Sequence, residues 1–151
     1  MIEIPLFPKF RILEFTDKEE IERIYSSIKP YSDYNFLCLW SWNIYLPIQI
    51  SKLNSSIVIQ QSDFITEQVY LSILSENSIE NELKIICKKY HEDKKSVFFK
   101  CITEEHILKL SQNEFCIIED RGNFDYIFET RKIIEYKGFE YRTLRRKLNQ
   151  F

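Results

Sequence analysis

A chain of 151 residues with only two glycines has few places where its backbone can turn left-handed or let a ligand approach closely. Average usage is about 7%. Gly122 and Gly138 both sit in turn contexts. Neither supports a G-x-G-x-x-G, a P-loop or another glycine-rich phosphate cradle, so folds that depend on such loops are excluded. A hydrophobic share of 44% is enough for one well-formed core at this length.

The patterning alternates short apolar strands with amphipathic helices, which predicts an α/β (α+β) architecture. Residues 10–15 read as a strand. Thr16 and Glu19 have capping-box spacing and open a helix over 17–29, with Ile21, Ile24, Tyr25 and Ile28 on one face and Pro30 as the stop. Asp33 reads as the cap of a second helix through Tyr45. That helix is apolar on almost every side, so it is expected to be buried or to meet a partner, with one of Trp40 and Trp42 left at a surface. Strands are predicted over 48–53, 56–60 and 69–73, with a tight turn at Asn54-Ser55. Asn77 or Ser78 caps a helix carrying Ile79, Leu83, Ile86, Cys87 and Tyr90. A strand over 97–102, a short helix capped by Thr103, and strands over 115–118 and 126–128 complete the pattern.

Cys38, Cys87, Cys101 and Cys116 show no C-x-x-C spacing and lie in apolar runs, where thiols are typically buried and inert. With no signal-peptide pattern in residues 1–8, they read as free thiols in a reducing cytoplasm. His91 and His106 stand outside any ligand spacing, so no metal site is expected. No apolar run approaches the ~18 residues of a membrane span.

Two groups of residues stand out as candidate sites. Residues 137–151 carry five positive charges against one acid, Glu140, for a net +4 in a chain of −2, so the preceding residues sum to −6. Tyr141, Leu144, Leu148 and Phe151 form an apolar helical stripe there. Arg142, Arg145, Arg146 and Lys147 are candidates for binding the phosphates of tRNA or of an anionic lipid headgroup. A plainer reading makes them a solvated helix end that favours the helix dipole. Asp120, Arg121, Asp125 and Tyr126 form the densest polar group. Asp125 and Arg121 read either as a catalytic pair or as parts of a turn. The sequence identifies no catalytic residue.

Three stretches also carry a resemblance. Gly138-x-x-Tyr141-x-x-x-Arg145-x-x-Leu148-Asn149-x-Phe151 resembles a "G-k-x-y-x-x-x-R-x-x-[IL]-N-x-F" segment of a bacterial family. That family is related to the C-terminal synthase domain of phosphatidylglycerol lysyltransferases. Ser32-Asp33-Tyr34-x-Phe36-x-x-Leu39-x-x-Trp42 is similar to its "S-[DE]-y-x-F-x-N-L-x-x-W" segment, and the stretch from Glu119 to Ile127 to its "D-R-x-x-[FS]-D-Y-[IV]-Y" segment. The resemblance implies a GNAT-like (acyl-CoA N-acyltransferase) mixed sheet with helices on both faces. Members run to about twice this length, as two such halves in tandem. It therefore implies an N-terminal half whose basic helix over 137–151 leads toward a second GNAT-like domain. The whole protein would move an acyl or aminoacyl group, with aminoacyl-tRNA as donor and a lipid or amine as acceptor. Because no glycine loop is present, this half is expected to bind no acetyl-CoA or other cofactor. The competing expectation is a free-standing, non-catalytic binding or scaffold domain that forms a homodimer or meets a partner domain.

Overall fold

The computed structural model describes residues 3–111 and 114–150. Among these, β1 (Arg11–Ile12) is followed by α1 (Lys18–Tyr25), α2 (Phe36–Asn43), β2 (Gln49–Leu53), β3 (Ser56–Ser62) and β4 (Val69–Leu74). Then come α3 (Glu80–Glu92), α4 (Glu104–Ile107), α5 (Thr130–Glu135) and α6 (Arg142–Leu148). The chain divides into two units, Met1–Glu119 and Asp120–Phe151.

The first unit is built on one sheet in the order β1-β2-β3-β4, with every neighbouring pair antiparallel. Asn54 adopts φ 55° at the β2–β3 turn, a left-handed conformation that asparagine tolerates better than most residues. Period-two alternation then sends adjacent side chains to opposite faces. Ile57, Ile59 and Leu74 join a core with Ile21 and Ile24 of α1 and Phe36 and Leu39 of α2. Val58, Leu71 and Ile73 join another with Ile79, Leu83 and Ile86 of α3. Helices thus cover both faces, which is why β3 opens as a continuous apolar run, Ile57-Val58-Ile59, rather than as an alternating one. Each fully buried aliphatic side chain contributes roughly 1.5–3 kcal/mol.

Several expected elements are altered by tertiary contacts. Among the described residues the expected mixed sheet is an antiparallel ladder, and parallel pairing is confined to the single bridges Leu6–Lys52 and Leu71–Phe99. The expected strand over 97–102 stops at that second bridge, because Cys101 takes φ 58° and leaves the extended region. The helix expected over 17–29 ends at Tyr25. There the Ser26 and Ser27 hydroxyls donate to the carbonyls of Arg23 and Ile24, competing with further helical turns. Its start is organised by Asp17, which accepts from the Glu14 amide at 2.8 Å, and not by Thr16. Neither Asn77 nor Ser78 is the cap of α3; Ile79 holds that position. No ladder forms over 115–118 or 126–128 among the described residues. Cys116 is exposed, whereas the other three thiols are partly covered.

The second unit has a different character. None of its described residues is buried. The helix expected over 137–151 is shorter, running from Arg142 to Leu148, and Phe151 lies outside the described residues. Leu144 and Leu148 are exposed.

Candidate functional site

The polar residues of the first unit converge at the end of the Leu71–Phe99 bridge. Leu71 donates to the Phe98 carbonyl at 2.8 Å, and Lys100 donates back to Leu71 at 3.0 Å, as in a parallel ladder. The next rung is not made between backbones. Instead, the fully buried Tyr34 phenol donates to the Cys101 carbonyl at 2.8 Å. The Cys101 thiol donates to the Asp33 carboxylate at 3.6 Å, and the Tyr31 side chain hydrogen-bonds both. Tyr31 and Tyr34 meet edge to face at 5.4 Å. Residues 33 and 34, adjacent in a short 3-10 turn, both address Cys101.

The electrostatics of this network are those of a locked site. Burial, reinforced by the Asp33 charge, pushes the Cys101 thiol up to about 12. At neutral pH it is a thiol donor and not a nucleophilic thiolate. Burial raises the Tyr31 and Tyr70 phenols as well. Beside them Lys100 lies 5.2 Å from the Tyr70 ring centre and bonds Asp63 at 2.7 Å. The Lys100 bond, aided by the Thr66 and Ile65 amides, holds Asp63 well below the usual carboxylate range.

Asp33 is therefore not the cap of α2. Asn35 is, accepting from the Leu37 amide at 2.9 Å. The junction at 74–78 presents no open amide cradle either: Ser75 accepts from the Ser56 hydroxyl at 2.9 Å and from the Asn77 amide at 3.2 Å. The Asn77 carbonyl accepts from buried His106, whose other ring nitrogen meets the Thr103 hydroxyl at 2.9 Å. Burial lowers the His106 pKa, so the imidazole is neutral. A further polar pair, partly covered Arg11 clamping buried Asp17 at 2.6 and 2.7 Å, has no clear signal in the sequence. Only the i,i+6 opposite charges hinted at it.

In the second unit the four basic candidates separate. Arg145 is half-buried and donates to the carbonyls of Tyr136 and Gly138, the latter at 3.0 Å. Gly138 has φ +102°, where a Cβ would lie 2.6 Å from the Glu140 carboxylate, and Tyr136 stacks edge to face on Tyr141 at 5.6 Å. The Gly138, Tyr141 and Arg145 positions thus hold the α5–α6 turn together. Arg142, Arg146 and Lys147 are exposed, and the first two line a shallow open groove with Thr143, Arg145, Asn149 and Gln150. Asp120, Arg121, Asp125 and Tyr126 are all exposed; Asp120 accepts from the Asn123 side chain at 2.7 Å around a 3-10 turn over Arg121–Asn123. This geometry is that of a turn.

The first unit and its network thus define a mixed α+β protein with a four-stranded antiparallel sheet. The chain is similar to a conserved protein of unknown function from Bacteroides thetaiotaomicron VPI-5482, known from its crystal structure, with a TM-score of 0.76 and 18% identity. The match covers 93% of this chain and 49% of the other, so this chain spans about half the length of that protein. No family model and no curated protein matches the chain. Among the described residues no helix is long and apolar enough to cross a membrane.

Proposed function

We propose that this chain acts as the N-terminal, GNAT-like and non-catalytic half of an acyl- or aminoacyltransferase related to phosphatidylglycerol lysyltransferases. The observation that carries the non-catalytic part is the network of Tyr31, Asp33 and Cys101. Its one thiol is held protonated, and its polar groups are engaged with one another. Coverage of about half of the Bacteroides protein supports a tandem arrangement, in which the partner is a second domain. Exposed Arg142, Arg146 and Lys147 support contact with a polyanion, either the tRNA of an aminoacyl donor or an anionic lipid headgroup. Arg145 is a turn residue in this reading.

Titration of the chain with tRNA, and separately with phosphatidylglycerol vesicles, over a series of salt concentrations tests the anion contact. Arg142→Ala and Arg146→Ala are each expected to lower the log–log salt slope by roughly one unit. Absence of salt-sensitive binding to either probe would remove the polyanion from the reading. Calorimetric titration with acetyl-CoA is expected to show no binding, and a micromolar dissociation constant would overturn the non-catalytic assignment.

A second reading is favoured by α2. Leu37, Trp42, Ile44 and Tyr45 are exposed on its outer side and just beyond its end, with Trp42 in contact with Phe64 at 6.1 Å. An uncovered face of this kind suits a free-standing scaffold domain that dimerises. Sedimentation showing a clean monomer at high concentration would leave the first reading alone.

A further inference from the structure

Residues Asp120–Phe151 hold eight arginines and lysines against five aspartates and glutamates, a net +3 in a chain of −2. Met1–Glu119 therefore carries −5, so a negatively charged surface attracts the second unit and repels the first. Among the cations of the second unit stand exposed apolar side chains: Ile134 on α5, Phe139 in the turn, and Leu144 and Leu148 on α6. Leu144 and Leu148 are four apart and share one face of α6, while Arg142 and Arg146, also four apart, share another. A helix with cations on one face and leucines on the other suits the boundary between lipid headgroups and acyl chains. The turn suits it too. Phe139 is 83% exposed beside Gly138, and Arg145 donates to both the Tyr136 and the Gly138 carbonyls. Moving this turn out of bulk water therefore strands neither carbonyl.

We propose that the α5–α6 segment docks on an anionic lipid surface, with Phe139 and the Leu144–Leu148 face in the headgroup–acyl boundary. Arg142, Arg146 and Lys147 meet the lipid phosphates, which their long stems allow the charged ends to reach. The proposal rests on the polyanion contact proposed above and commits it to one occupant. The aliphatic side chains decide between the occupants. A tRNA backbone would neutralise the arginines but leave Ile134, Leu144 and Leu148 in water, because aliphatic groups do not stack on bases as aromatic rings do. A lipid surface takes both the charge and the apolar area. Docking of this kind is indifferent to headgroup identity, which separates it from an acceptor pocket for one lipid.

Cosedimentation of the full chain with vesicles tests the proposal. Vesicles of phosphatidylcholine mixed with phosphatidylserine, or with an equal share of phosphatidylglycerol, are expected to bind it equally. Phosphatidylcholine alone should bind at least about tenfold more weakly. Phe139→Ala should weaken partitioning about tenfold, and Arg142→Ala about fivefold at low salt. Ile65→Ala, as exposed but in the first unit, should leave it unchanged. All three positions are exposed, so the variants are expected to fold, which circular dichroism checks. Unchanged partitioning of Phe139→Ala would reduce the contact to charge alone and overturn insertion. Weakening by Ile65→Ala would assign the contact to the first unit and overturn it as well. Binding to phosphatidylglycerol but not to phosphatidylserine would replace surface docking by a headgroup site and leave the transferase reading intact. Salt-sensitive binding to tRNA without binding to vesicles would overturn the lipid occupant and keep the polyanion contact. Binding to neither probe would remove both.

Discussion

The sheet unit and the segment from Asp120 onward share one chain but hold their shape by different means. In the first, β3 is buried on both faces and two apolar clusters lock helices to the sheet. In the second, no described side chain is buried, and the turn between α5 and α6 is held by one arginine, one glycine and a tyrosine pair. Helices shorter than ~12–15 residues are marginal on their own in water. The contrast shows that a few residues, here Gly138, Tyr141 and Arg145, can hold a turn where no buried core does.

The sharpest break in this comparison comes from hydrogen exchange. Amides of β3 are expected to exchange at the rate of global unfolding, while those of α5 and α6 exchange about a thousandfold faster or more. Comparable protection in the two regions would erase the distinction. Substitution gives the next largest effect. Ile59→Ala should cost about 2–5 kcal/mol in urea unfolding, since it opens a cavity in the core. Ile134→Ala, at an exposed position, should stay within about 0.5 kcal/mol. Asp17→Ala should cost about 2–4 kcal/mol, because it leaves the largely covered Arg11 guanidinium without its clamp.

A smaller effect separates the units by pH. His106 is buried and neutral, and its folded pKa lies below the ordinary value of about 6.5. As pH falls below that value the unfolded chain takes up a proton first, so stability declines until the lower folded pKa is reached. The step should appear in the unfolding of the sheet unit and vanish in His106→Asn. A step that survives the substitution would assign it to another group. Arg142→Ala and Arg146→Ala should change folding least of all, within about 0.5 kcal/mol by thermal unfolding.

Much of the sheet unit was legible in its sequence, because helical and strand periodicities are local. The spacing of Ile21 and Ile24 located α1 and its buried face, and the apolar run at 57–59 with the Asn54-Ser55 turn located the central hairpin. One tryptophan was expected at a surface, and Trp42 is exposed while partly buried Trp40 packs against the core. The endings of elements were less legible. Whether serine hydroxyls would stop α1, or whether Asn35 would displace Asp33 as a cap, depends on which of several competing polar groups finds the better partner.

The candidate network was beyond the reach of the sequence for a related reason. Cys101 lies 68 positions from Asp33, and no local pattern relates a cysteine in an apolar run to a carboxylate beside a helix. By itself the sequence determined the period of each segment, the scarcity of left-handed turns and the charge of the last helix, since these belong to neighbouring residues. Only the tertiary structure decided that Cys101 would leave the strand, that Tyr34 would donate to its carbonyl and that Arg145 would serve a turn. Each depends on satisfying a backbone group left without a partner once the chain had closed.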